Sequence, residues 1–136
     1  VIPIAEEMAA EARLSDRITG SVHDILDAPI EDAFDAVTAR ALFQVLSEEQ
    51  CQVAAHNIAA VLPPGGKLYI IGHVTDNSQI SPVASVGMNM MFLNVFDEGQ
   101  AYSEARYREW LKKAGFRSIV REPFIAGNSL ITAKKI

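Results

Sequence analysis

The chain has 136 residues, of which 49% are hydrophobic and 21% are charged, and its formal net charge is −5 at pH 7. This composition is typical of one ordinary globular domain and excludes a disordered chain. The acidity argues against nucleic acid as a partner, since phosphate binding needs a basic face. No apolar stretch reaches the roughly 18 residues of a membrane span, and the first residues lack a signal-peptide pattern. We therefore expect a cytoplasmic protein with no membrane partner.

Metal-binding side chains are few. The single cysteine, Cys51, cannot form an internal disulfide or a cysteine-rich metal site, and its helical spacing predicts a buried structural thiol. The three histidines, His23, His56 and His73, lack the HxxxH and HExxH spacings of zinc sites. The sequence therefore predicts no metal centre.

The first forty residues predict one helix and two strands. Apolar residues at helical spacing predict a helix over Pro3 to Arg13. Arg17 to His23 is predicted as a short strand, and Asp24 to Asp32 as a loop at the end of that strand. Phe34 to Ala39 is apolar enough to predict a second strand, buried on both faces.

The middle of the chain predicts a capped helix that reverses into a buried strand. Ser47 to Gln50 fits the capping box, in which the hydroxyl and the amide satisfy free backbone donors reciprocally. The helix is predicted to run to about Leu62, with a core stripe of Cys51, Ala54, Ala55, Ile58, Val61 and Leu62. The turn Pro63-Pro64-Gly65-Gly66 ends it, and the strand Lys67 to His73 follows.

The last third predicts two helices and a hairpin. Pro82 to Phe96 is predicted as a helix with a methionine-rich face, and a second helix begins after Ser103 and stops at Gly115. Arg117 to Pro123 and Ser129 to Lys134 are predicted strands, joined by a turn at 126–128. This order of elements predicts an α/β fold.

Three segments carry a resemblance to a known family. Asp35 to Cys51, Ala60 to Ile70 and Tyr102 to Phe116 resemble, in order and approximate spacing, the small-molecule O-methyltransferases of the class I S-adenosylmethionine-dependent methyltransferases. The resemblance implies a Rossmann-like methyltransferase fold with a C-terminal β-hairpin. It also implies S-adenosylmethionine as cofactor and a small-molecule acceptor.

The resemblance implies three cofactor-binding residues. Asp24 matches the family acid near the adenine, and Ile25 matches the apolar residue beside that ring. Arg40 falls where relatives often place a basic residue near the methionine carboxylate of the cofactor, which a guanidinium suits. The alternatives are a solvated turn aspartate for Asp24 and an ordinary surface arginine for Arg40.

The catalytic base of the family is replaced. Many O-methyltransferases have a Leu-His-x-Trp-Ser-Asp-type run whose histidine deprotonates the acceptor hydroxyl, whereas here Phe43 to Glu48 places Gln44 at that position. Glutamine cannot act as a general base. His73, at the carboxyl end of the third predicted strand, is the most plausible substitute, with His23 a weaker one. The alternative for His73 is a structural histidine whose hydrogen bonds are satisfied at a strand end. The alternatives for the reaction are an acceptor that needs no deprotonation and a chain that does not perform this O-methylation.

The resemblance also implies that the methionine-rich helix lines the acceptor pocket. Met88, Met91 and Phe92 fall where relatives line that pocket, and flexible thioethers suit irregular apolar ligands. The alternative is a core or subunit interface, and both roles are compatible in a homodimer.

The fold is expected to be incomplete. The glycine-rich cofactor loop and the first strands of the family do not precede Val1, so residues 1–136 are predicted to be the C-terminal portion of a single methyltransferase catalytic domain. Without those strands, the strand at Arg17 to His23 would lack neighbours. We therefore expect the fragment to rearrange, to form a homodimer or to belong to a longer protein. The expected activity is methyl transfer to an apolar or aromatic small molecule, absent in the isolated fragment; the alternative is a non-catalytic binding or dimerisation module.

Overall fold

A mixed four-stranded sheet with helices packed against it forms the structure. The computed structural model describes all residues from Val1 to Ile136. In chain order the elements are α1 (Ile2–Glu11), β1 (Ala36–Arg40), α2 (Glu48–Ala60), β2 (Lys67–Gly72), α3 (Val83–Val95), α4 (Glu104–Lys113), β3 (Phe116–Pro123) and β4 (Ser129–Lys135), with 3-10 turns at Phe43–Val45 and Ile125–Gly127. The predicted α/β class is confirmed.

The sheet has the strand order β1-β2-β4-β3. β1 and β2 are parallel, while β4 is antiparallel to both β2 and β3. The predicted C-terminal hairpin is therefore present, and its turn contains Ala126 at φ 55°. No helix of the chain is both long enough and apolar enough to cross a membrane.

The core joins α2 and α4 to the sheet. The predicted stripe of α2 is buried throughout, as are Tyr107, Trp110 and Leu111 of α4. Trp110 stacks edge-on against Tyr102 and Tyr107, with ring centroids 4.8 Å and 5.4 Å away. Aromatic pairs of this geometry add to the area they bury. Cys51 lies in the same core, fully buried, and burial raises the pKa of its thiol to about 12. The predicted structural thiol is confirmed.

The predicted strand at Arg17 to His23 is wrong. The segment is irregular after a turn in which the carbonyl of Leu14 accepts from the amides of Arg17 and Ile18. Its alternating apolar residues face water, and Val22 is 91% exposed. A strand requires a neighbouring strand for its backbone hydrogen bonds, and no other strand of this chain lies beside the segment.

The predicted burial of the next strand is also wrong. β1 begins at Ala36 rather than Phe34, and only Ala39 is buried among its residues. The reason is its position, since β1 pairs with β2 alone and has a free outer edge. Its apolar residues are typical of a strand that is buried on both faces, but in this structure they are only partly buried.

The capping box of α2 is present as predicted. The hydroxyl of Ser47 accepts from the amide of Gln50 at 3.2 Å, and the side-chain oxygen of Gln50 accepts from the amide of Ser47 at 2.9 Å. The two bonds start α2 directly after the segment Leu42 to Leu46. They therefore hold the beginning of the helix at the carboxyl end of β1.

Replacing Ser47 by Ala should lower the free energy of unfolding by about 1 kcal/mol, because the amide of Gln50 loses its partner. Ser47→Thr keeps the hydroxyl and is the matched control. Chemical denaturation of the three proteins measures the difference. Equal stability of Ser47→Ala and wild type would show that the cap contributes nothing.

Candidate active site

The carboxyl ends of β1 and β2 bring the candidate catalytic residues together. Arg40 lies opposite Ile71 in the parallel register, and the amide of Ala41 donates to the carbonyl of Ile71 at 2.9 Å. Because parallel strands end at one edge of the sheet, the residues after β1 lie beside those after β2. Ligands of open α/β sheets bind at this edge.

Gln44 lies directly on the backbone that follows β2. Its Oε1 accepts from the amide of His73 at 3.3 Å. A Cβ at Gly72 would come within 2.8 Å of the same oxygen, so a side chain at position 72 would displace the amide group. The two residues predicted as catalytic are thus neighbours, and Gly72 makes their contact sterically feasible.

The backbone around Gln44 is held from its other side by Gly99. A Cβ at Gly99 would overlap the carbonyl oxygen of Gln44 and would lie 2.9 Å from the Cα of Val45. The segment that follows α3 is itself tied to that helix, because the amide of Ala101 donates to Oδ1 of Asn89 at 2.6 Å. Backbone packing and a hydrogen bond therefore fix the position of Gln44.

His73 is buried at the same edge. The residue is 9% exposed, and its Nδ1 is buried without a hydrogen-bond partner. Its ring lies 6.0 Å from that of Phe92 on α3, in a tilted arrangement. Burial lowers the pKa of His73 below its ordinary value, so the imidazole is neutral at pH 7. A neutral imidazole has one nitrogen able to accept a proton.

Arg121 on β3 holds the backbone that follows His73. Its Nη2 donates to the carbonyl of Val74 at 2.8 Å, and its Nη1 approaches the carbonyl of Thr75 at 3.4 Å. Its Nε donates to Oγ of Ser129, and its Nη1 also pairs with Glu104. The side chain is 14% exposed. Arg121 therefore connects the C-terminal hairpin and α4 to the carboxyl end of β2.

No hydrogen bond or ion pair joins the three predicted cofactor residues, Asp24, Ile25 and Arg40, to one another. Asp24 is exposed and accepts from the amide of Leu26 at 2.9 Å, and it closes no strand. Ile25 is half-buried against the core, and its carbonyl accepts from Nδ2 of Asn57 at 2.7 Å. No hydrogen bond or ion pair joins Asp24 or the Ile25 backbone to the edge of Gln44 and His73.

Arg40 does lie at that edge. Its side chain is exposed and has no carboxylate partner among the ion pairs of the protein. A guanidinium without a protein partner at the carboxyl end of a strand is able to bind the carboxylate of a ligand.

The predicted acceptor residues on α3 differ in burial. Phe92 is buried against His73, Met88 is half-buried, and Met91 is 43% exposed. The sequence reasoning missed Gly72, Gly99 and Arg121. Gly72 had a recognisable signal, since it directly precedes the candidate base, whereas nothing local marked the other two.

Sequence comparison identifies the family. Residues 1–117 match the O-methyltransferase domain family. The chain belongs to this family. The cofactor of these enzymes is S-adenosylmethionine, and the structural similarity described below confirms the Rossmann-like fold in its partial form.

Two curated relatives of this O-methyltransferase-family chain are similar over most of its length. It is 30% identical over 115 residues to the L-tyrosine C(3)-methyltransferase of Streptomyces lavendulae, covering 84% of the chain and 31% of that enzyme. It is also 30% identical over 115 residues to the 3-hydroxy-5-methyl-1-naphthoate 3-O-methyltransferase of Streptomyces sahachiroi, covering 85% and 33%. The chain therefore spans about a third of the length of these relatives.

A solved structure supports the same assignment. The O-methyltransferase family 2 protein of Planctomyces limnophilus, in complex with apigenin, superposes with a TM-score of 0.87 at 25% identity. The superposition covers 100% of this chain and 40% of that protein.

Arg121→Met should lower the free energy of unfolding by about 2 kcal/mol, because the partly buried carbonyl of Val74 and the hydroxyl of Ser129 lose a charged donor. Arg117→Met is the control, since Arg117 is exposed on the same strand. Urea denaturation compares them. Equal losses of unfolding free energy in the two variants would contradict this role of Arg121.

His73 should make stability depend on pH. Because burial lowers its pKa, the unfolded chain binds this proton more tightly, so the residue subtracts from stability as pH falls through about 6.5. Between pH 7.5 and 5.5 the free energy of unfolding should fall less in His73→Gln than in wild type. His56→Gln, which replaces an exposed histidine on α2, should fall like wild type. If the unfolding free energies of His73→Gln and wild type changed equally with pH, the lowered pKa of His73 would be refuted.

Proposed function

We propose that the protein containing this chain transfers the methyl group of S-adenosylmethionine to an apolar or aromatic small molecule. Residues 1–136 then form the C-terminal portion of a single catalytic domain. The observation that carries the proposal is the contact of Gln44 with the backbone of His73 at the carboxyl ends of two parallel strands, in a chain of the O-methyltransferase family. Both curated relatives are named for aromatic acceptors, which supports that class.

Arg40 is the residue of this chain best placed to hold the cofactor. Its unpaired guanidinium would bind the carboxylate of the methionine portion. Asp24 and Ile25 stay proposed contacts of the adenine, supported only by the family resemblance. When bound, S-adenosylmethionine supplies a methyl group on a positively charged sulfur, and the role of the protein is to align an acceptor with it.

His73 is the proposed base for the acceptor hydroxyl. It is neutral at pH 7, and it is buried beside the ring of Phe92. Met88 and Met91 would line the apolar part of the pocket together with Phe92. An acceptor hydroxyl at the ring of His73 would lose its proton to the imidazole as the oxygen attacks the methyl group.

The methyl group could be transferred to a carbon or to an oxygen of the acceptor. One curated relative is named for methylation at carbon and the other for methylation at oxygen. Gln44 does not decide between carbon and oxygen, because its amide accepts no proton at neutral pH and cannot act as a base. We propose oxygen, because His73 offers a base for a hydroxyl.

The assembly and location of the protein stay proposals. A homodimer is supported by the exposed apolar residues of α3, namely Met90, Leu93 and Val95, and by the free edge of β1. A cytoplasmic location rests on the sequence composition alone.

Methyl transfer should be measured in the intact protein with methyl-labelled S-adenosylmethionine and a panel of naphthols. Wild type should form a methylated product, and His73→Gln should lower kcat by about 100-fold, the usual contribution of a general base. His56→Gln should leave kcat unchanged. Full activity of His73→Gln would remove the histidine as base, and a protein that binds acceptors without transferring methyl would be the non-catalytic module instead.

A further inference from the structure

We propose that the side-chain amide of Gln44 donates a hydrogen bond to the acceptor molecule, and that the site thereby selects acceptors with a carbonyl oxygen beside the reacting group. This inference rests on the proposed function, because it names the class of acceptor for the same site. It concerns recognition of the acceptor and requires no chemical step by Gln44.

The hydrogen bond of Gln44 to the protein orients its amide. Oε1 accepts from the backbone amide of His73, and this is the hydrogen bond that the side chain makes. A flipped amide would place its own NH₂ group against that N–H, two donors facing each other. The NH₂ group therefore points away from the backbone of β2.

The NH₂ group is left without a protein partner. Gln44 is half-buried, and no carbonyl or carboxylate of the chain accepts from its Nε2. Nε2 is not one of the fully buried polar atoms of the protein, so a ligand is able to reach it. Because Oε1 is held beside His73, the free donor lies at the same strand end as the imidazole. A ligand bound there would meet both groups.

The donor is also held in place before any ligand binds. A side chain at Gly72 would push Oε1 away, and any side chain at Gly99 would collide with the backbone of Gln44. The segment carrying Gly99 is fastened to α3 through Asn89. A donor fixed in this way loses little conformational freedom on binding, which favours selectivity.

The chemistry of the donor indicates its partner. An amide NH₂ group donates and cannot remove a proton, so its partner is an oxygen with a free lone pair that does not itself have to ionise. The reacting hydroxyl is directed to His73, as proposed above. The oxygen at Gln44 is therefore a second one, and a neighbouring carbonyl has the geometry to meet an adjacent donor.

Binding of two matched ligands tests the inference independently of turnover. The probes are 3-hydroxy-2-acetonaphthone, which has the carbonyl, and 2-naphthol, which lacks it; both are uncharged at pH 7, so Arg40 does not discriminate between them by charge. Their dissociation constants are measured by calorimetry on the intact protein with S-adenosylhomocysteine present. Wild type should bind the ketone about tenfold more tightly, the effect of one hydrogen bond.

Three variants assign the preference to the donor. Gln44→Met keeps the length of the side chain without its donors, and it should reduce the preference to less than about threefold. Gln44→Glu presents an acceptor to the carbonyl and should reverse the preference. Gln52→Met, on α2 and half-buried, is the matched control and should bind like wild type. A wild-type protein without preference, or a preference that survives in Gln44→Met, would overturn the inference, as would failure of wild type to bind either probe.

A spectroscopic measurement covers variants that do not fold. In the ¹⁵N-labelled wild-type protein, the side-chain NH₂ resonances of Gln44 should move downfield when the ketone binds. They should not shift when 2-naphthol binds. Unchanged resonances in the ketone complex would contradict the proposal. A preference for the ketone without any methyl transfer would reject the proposed function and retain this inference, while transfer without preference would do the opposite.

Discussion

The parallel pairing of β1 with β2 is the constraint on which the rest of the site depends. Its register sets Arg40 opposite Ile71, and the chain after Arg40 then has to pass over the end of β2. This brings Gln44 onto the amide of His73. Backbone hydrogen bonds of a ladder are fixed in spacing, so a site built at two strand ends inherits that precision.

The site is also supported by two separate parts of the chain, α3 with the segment after it and the C-terminal hairpin. Gly99 comes from the segment after α3, Phe92 from α3 itself, and Arg121 from the C-terminal hairpin. Each contacts either the backbone or the ring of the residues at the strand ends. Gly99 and Arg121 act through other residues, and such residues set the precision of a site without touching its ligand.

Local patterns predicted the helices well, because a helix satisfies its backbone within itself. The capping box at Ser47 and the buried stripe of α2 followed from spacing alone. The strand predicted at Arg17 to His23 failed for the opposite reason, since a strand needs a partner that the local pattern cannot supply. The partial burial of β1 has the same origin, because the exposure of a strand depends on what lies next to it.

By itself the sequence determined the α/β class, the helices, the turn at Gly65-Gly66 and the family, since these follow from periodicity, backbone conformation and residue identity. It also marked Gln44 and His73 separately as unusual residues. Only the tertiary structure decided that they touch, and that Gln44 accepts through its oxygen and leaves its NH₂ group free. It also decided that Arg121 donates to the carbonyls of Val74 and Thr75, which follow His73. The physical reason is that contacts between residues about 30 or 47 positions apart depend on strand order and register, which no local pattern specifies.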